Sequence, residues 1–140
     1  MSTLIVYASK SGTAKECADI LAQKLDHSQA YGAANAPAPD EWDTVVLGSG
    51  VRMEKAYKPL LKYMTKHAET LKTKRVAIYL CNGDLDSFVP SLEKSIPASL
   101  REHALATVCL GGRPPFSKKP GQEWLQSDQM DALVRAVDGK

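Results

Sequence analysis

The chain predicts a doubly wound α/β domain with a five-stranded parallel sheet in the order 2-1-3-4-5. Three observations lead there. Apolar runs of strand type alternate with stretches of helical periodicity along the whole chain. The length, 140 residues, fits one domain, expected to span 1–140, with enough chain for a real core. Loops of glycine and small polar residues follow the first, third and fourth predicted strands, at the edge where open α/β sheets place ligands.

The first strand is read as Thr3–Ala8. The helix after it carries Ala14, Cys17, Ala18, Leu21 and Leu25 on one face. A short, more polar second strand, Ser28–Gly32, suits a sheet edge, and the Ala/Pro-rich stretch Ala33–Asp40 is a loop. The third strand, Thr44–Leu47, runs into Gly48-Ser49-Gly50, a loop by its composition. Its helix is expected to bury Tyr57, Leu61, Met64, Ala68 and Leu71, with Pro59 tolerated in the first turn. The fourth strand, Arg75–Leu80, ends in Cys81-Asn82-Gly83-Asp84. Ser87 is the expected N-cap of the next helix, which should stop before Pro97. A fifth strand near Ala106–Leu110 leads through the proline-rich loop Arg113–Pro120 to a last helix that turns Met130, Leu133, Val134 and Val137 inward.

Composition narrows the function. Hydrophobic content of 44% and charged content of 24% are ordinary for a water-soluble domain. A net charge of +2 is too small to point to nucleic acid. No apolar run approaches the ~20 residues of a membrane helix, and no basic-then-apolar start suggests a signal peptide. Cys17, Cys81 and Cys109 form no C-x-x-C and read as reduced thiols, which predicts a cytoplasmic protein. His27, His67 and His103 have no metal-ligand spacing.

The chemistry concentrates in Ser9-Lys10-Ser11-Gly12-Thr13-Ala14. Ser9, Ser11 and Thr13 supply hydroxyls, Gly12 permits a tight turn, and the helix start offers unpaired N–H groups to an anion. Taken alone, the loop fits a ligand-free turn as well as a phosphate cradle. It is not a Walker loop, because no Gly-Lys-Ser/Thr closes it, and one glycine does not make a dinucleotide fingerprint. Its position tips the balance. In the predicted order the chain reverses between strands 1 and 3, so a crevice opens there, flanked by the loops at Ser9–Thr13 and Ser49–Lys55 and neighboured by Cys81–Asp86.

With these residues in place the chain resembles the flavodoxin family over essentially its whole length. The first loop resembles the one that holds the FMN phosphate. Val46-Leu47-Gly48-Ser49-Gly50-Val51-Arg52 is similar to the Gly-Ala-Ser-Ile-Arg type of loop in the group that includes menaquinone-dependent protoporphyrinogen oxidase. The resemblance implies FMN as cofactor, with Ser9, Lys10, Ser11, Gly12, Thr13 and Ala14 around the phosphate. It implies Ser49, Gly50, Val51, Arg52 and Met53 along the isoalloxazine, and Cys81, Asn82, Gly83 and Asp84 at its pyrimidine ring.

Three departures from the family pattern stand out. Ala14 replaces a threonine. Neither flavin loop carries its usual aromatic, which leaves Met53, Tyr57 or Phe88 for stacking, while Trp42 and Trp124 read as packing residues. Arg52 or Met53 stands where the family commonly has a glycine. Lys10, Arg52, Lys55, Lys58, Lys118 and Lys119 could form a cationic rim, although Glu16, Glu54, Asp84 and Asp86 lie among them. The resemblance implies electron transfer between redox proteins, donor and acceptor, with acidic or anionic partners suiting such a rim. Two other functions stay open: an FMN-dependent oxidoreductase of the protoporphyrinogen-oxidase type, and a flavin-free interaction module.

Overall fold

The structure is a computed structural model that describes residues 2–10, 12–82, 85–112 and 125–138. Its elements run β1 (Thr3–Ala8), α1 (Thr13–Lys24), β2 (Ser28–Gly32), β3 (Thr44–Arg52), β4 (Lys55–Ala56), α2 (Lys58–Lys66), α3 (Ala68–Leu71), β5 (Arg75–Cys81), α4 (Phe88–Ser95), α5 (Ala98–His103), β6 (Ala106–Cys109) and α6 (Ser127–Asp138).

Five parallel strands form the sheet in the order β2-β1-β3-β5-β6, and the two-residue β4 pairs antiparallel with the end of β3. Setting β4 aside, this is the predicted 2-1-3-4-5 arrangement. β1 pairs β2 on one side and β3 on the other, with Ala8 opposite Ser49. The chain therefore reverses direction across β1, and the switch point lies between β1 and β3.

Alternation along the strands splits the core into two layers. Ile5, Val46, Ala77 and Tyr79 face Cys17, Leu21, Met130 and Leu133 of α1 and α6. Leu4, Val6, Val45, Leu47, Val76 and Ile78 face Leu60, Met64, Ile96 and Leu100 of α2, α4–α5 and their junction. Strands buried on both faces explain the near-continuous apolar runs of the sequence.

Four details differ from expectation. β3 does not stop at Leu47 but continues through Gly48, Ser49 and Gly50 to Arg52. Both glycines make room for rings: a Cβ on Gly48 would lie 1.9 Å from the Tyr79 ring, and one on Gly50 would lie 2.7 Å from that of Tyr57. The buried face of α2 is Leu60, Tyr63 and Met64, while Tyr57 caps the helix, Leu61 is half-buried and Ala68 is exposed. The helix breaks at His67, so a single periodicity drawn from Tyr57 to Leu71 crosses two helices. Ser87 stands at the N-cap position of α4 as expected, although in a helical conformation and without a side-chain cap bond. The short helix α5 after Pro97 was not anticipated. The proline-rich loop Arg113–Pro120 and Trp124 lie outside the described residues.

Candidate functional site at the carboxyl edge of the sheet

The first loop turns on Gly12, which adopts a left-handed φ of 92° with open space where a Cβ would stand. Its N–H donates to Ser9 Oγ at 3.0 Å, so the serine hydroxyl satisfies one of the donors at the start of α1. Thr13 and Ala14 are buried, and the Ala14 methyl belongs to the core, so only backbone of Ala14 could meet a ligand. The Tyr79 hydroxyl donates to the Ala14 carbonyl at 2.9 Å, anchoring the first turn to the middle of the sheet. Ser11 lies outside the described residues. Lys10 is exposed, and its ammonium sits 4.9 Å from the centroid of the Tyr57 ring, a cation–π contact that joins the first loop to the second.

The second segment is a hairpin, not an open loop. Val51 pairs Ala56 and Arg52 pairs Lys55, leaving Met53 and Glu54 as a two-residue turn with φ of 53° and 62°. Positive φ at both positions matches a type I′ turn, which suits the strand twist but usually takes Asn-Gly. Ser49 is fully buried; its hydroxyl donates to the Gly50 carbonyl at 2.6 Å and accepts the Tyr57 N–H at 2.9 Å. The Ala56 N–H donates to Ser95 Oγ at 2.8 Å, and Lys94 pairs Glu54 at 3.2 Å, so α4 holds the hairpin. Met53 stands 87% exposed at the tip.

The third segment begins at Cys81 and Asn82, both buried, and Gly83 and Asp84 lie outside the described residues. Asn82 Nδ2 donates to Ser87 Oγ at 2.8 Å and to Ser91 Oγ at 3.1 Å. Its buried Oδ1 has no hydrogen-bond partner among the described residues. An orphaned carbonyl oxygen of this kind costs about 1–3 kcal/mol unless something donates to it. Cys81 Sγ lies 3.7 Å from Cys17 Sγ, and the contact with Cys17, together with burial, pushes the Cys81 thiol well above its ordinary range. Both thiols are buried in the core.

The sequence reading therefore placed three segments at one edge, and the structure brings Ser9, Lys10, Gly12, Arg52, Met53 and Asn82 there. It commits the Ser49 hydroxyl to closing the hairpin. It reserves Gly50 for the Tyr57 ring. Tyr57 is the residue whose position sequence reasoning left undecided: it is half-buried, packed on Gly50 and capped by Lys10, while Phe88 is half-buried at the start of α4. The roles of Ser91 and Ser95 had no signal beyond their i,i+4 spacing on α4. Leu85 and Val89, 51% and 57% exposed, add apolar surface in the segment after β5. Among the described residues, no group of His, Cys, Asp and Glu could hold a metal ion.

The geometry defines an α/β protein with a left-handed glycine turn at the switch point of its sheet. A family profile described as a flavodoxin domain matches residues 4–118, and the chain belongs to that family. Nothing among the curated protein sequences matches the chain. Solved structures share its fold at low identity. Flavodoxin 1 from Bacillus cereus superimposes with a TM-score of 0.64 at 12% identity, over 100% of this chain and 99% of that one. A flavoprotein in complex with FMN from Lactobacillus acidophilus NCFM gives 0.57 at 14%, over 77% and 92%. The rubredoxin oxygen:oxidoreductase of Desulfovibrio gigas gives 0.66 at 11%; this chain spans 99% of itself but only 36% of that protein.

Proposed function

We propose that the chain binds FMN at the β1–α1 turn and carries electrons between a donor and an acceptor redox protein in the cytoplasm. The observation that carries the reading is the left-handed Gly12 at the start of α1, beside the β1/β3 switch point and open to solvent space. A phosphate there would take N–H groups of the first helical turn, and the Gly12 N–H could exchange Ser9 Oγ for a phosphate oxygen. The residues fit the flavin ring as well. Asn82 Oδ1 is an acceptor in need of a donor, and an isoalloxazine carries one ring N–H. Met53, Leu85 and Val89 offer exposed apolar surface to a planar ring, with Tyr57 behind. When bound, FMN supplies the electron-accepting and electron-donating group; the chain binds, orients and partly shields it.

The FMN complex of the Lactobacillus flavoprotein, which shares the fold, supports this choice of cofactor. Cytoplasmic placement is supported by three buried cysteines that remain free thiols. No helix among the described residues is long and apolar enough to cross a membrane. The test is the absorption spectrum of protein reconstituted with FMN and freed of excess. A retained flavin band supports the reading, and colourless protein after gel filtration contradicts it.

A further inference from the structure

The charge of this chain is segregated. Residues 52–74 contain seven lysines and arginines against two glutamates, a net charge of +5, while the remainder of the chain is net −3. The centre of the basic segment is α2. Lys58, Lys62 and Lys66 follow one another at i,i+4 spacing and are all exposed. The stripe is about 12 Å long. Elsewhere glutamates neutralise neighbouring cations, as Glu54 does Lys94 and Glu69 does Lys72. Among the described residues, Lys58, Lys62 and Lys66 form no ion pair.

Grooves run on both sides of this ridge. One, of about 360 Å³, is lined by Leu61, Met64, Ala68, Pro97 and Leu100 with Lys72 at its rim. The other, of about 330 Å³, runs from Pro59 and Tyr63 to Ala33 and Ala36, with Lys62 and Lys66 on its edge. α2 follows directly from the hairpin that borders the candidate flavin site.

We propose that the outer face of α2 is a docking surface for an acidic protein. The partner would set carboxylates against Lys58, Lys62 and Lys66 and place an apolar side chain in the groove beside Leu61 and Ala68. An apolar anchor inside a charged rim is how protein interfaces combine affinity with steering. The apolar groove favours a protein over nucleic acid, whose phosphodiester backbone brings charge but no side chain to fill it. A partner seated there would lie next to the hairpin and Tyr57. That the partner exchanges electrons rests on the FMN reading; the docking surface itself does not.

The experiment uses two probes, an acidic plant-type ferredoxin and a Glu-rich amphipathic helical peptide with a leucine face. Each is titrated by thermophoresis into the protein with and without FMN. Both probes should bind in both states, with affinity falling about tenfold or more between 20 and 200 mM NaCl. The triple variant Lys58→Gln/Lys62→Gln/Lys66→Gln should weaken both by about tenfold, and Ala68→Glu should weaken them severalfold. Lysine acetylation footprinting should show these three lysines protected in the complexes. Circular dichroism melts establish that the variants, all at exposed positions, remain folded. The proposal fails if neither probe binds, or if the triple variant binds as wild type. It also fails if duplex DNA or phosphatidylglycerol vesicles bind more tightly through the same lysines, or if the stripe instead drives self-association in sedimentation. A protein that binds the probes but not FMN would uphold the surface and overturn only the cofactor.

Discussion

At the scale of single residues, two buried tyrosines organise the molecule. The Tyr79 ring fills the space that a side chain at position 48 would occupy, and its hydroxyl reaches the Ala14 carbonyl at 2.9 Å. Gly48→Ala drives a methyl into that ring in the middle of the sheet, where neither backbone can retreat. We expect a loss upward of about 3 kcal/mol, read as a lowered urea midpoint. Unchanged stability would show that the ring sits elsewhere. Tyr63 donates to the Pro37 carbonyl at 2.7 Å, and burial, aided by the nearby Asp40 charge, pushes its phenol up to about 12. The folded value exceeds the unfolded value near 10, so the neutral form is favoured on folding. This stability is fully present below pH 10 and is lost as pH rises towards 12. Tyr63→Phe should therefore flatten the decline in unfolding free energy between about pH 10 and 12; an equally steep decline in the variant would assign it to other groups.

Position 48 also shows why the site was only partly legible. In sequence, Gly48-Ser49-Gly50 looks like a ligand loop, because a glycine needed for turning and one needed for a neighbouring ring have the same letter. The distinction depends on Tyr79 and Tyr57, which come from β5 and from the start of α2. The bounds of β1 and β2, by contrast, follow from local apolar runs and turn signals and match the structure.

At the scale of elements, the first strand–turn–helix is the unit on which the proposed FMN site rests. β1 is held on both sides by parallel partners, so the turn that follows it is rigidly placed. Gly12 then reverses the chain with φ of 92° and α1 begins. A Cβ at position 12 would meet nothing within 4 Å among the described residues beyond its chain neighbours, so the main cost of Gly12→Val is the conformation itself, about 1–2 kcal/mol. The variant should fold, with a modestly lowered melting temperature, and should lose FMN binding because the turn relaxes and the new side chain enters the phosphate space. A folded variant that keeps its yellow colour would place the phosphate elsewhere. The turn was legible from composition alone, whereas the α2–α3 break was not. His67 interrupts a pattern of apolar residues that continues without a glycine or proline to mark the end.

At the scale of the whole molecule, two kinds of order coexist. The sheet is symmetrically buried, with core on both faces, but charge is not symmetrically spread: the basic segment gathers on the hairpin, α2 and α3. A net charge of +2 conceals this, since opposite segments cancel in the sum. The strand order was accessible because alternating strands and helices leave few right-handed ways to wind a sheet. The two-residue β4 was not, because a turn at Met53-Glu54 without glycine carries no hairpin signal in its letters.

The central claim is that the turn at Gly12 holds the phosphate of a flavin nucleotide. Parallel fluorescence titrations with FMN and riboflavin test it most directly, because the two ligands differ only in that phosphate. Charge-assisted hydrogen bonds from the turn contribute about 1.5–3 kcal/mol each, so FMN should bind at least about a hundredfold more tightly than riboflavin. Equal affinities for the two ligands, or binding of neither, would contradict the account.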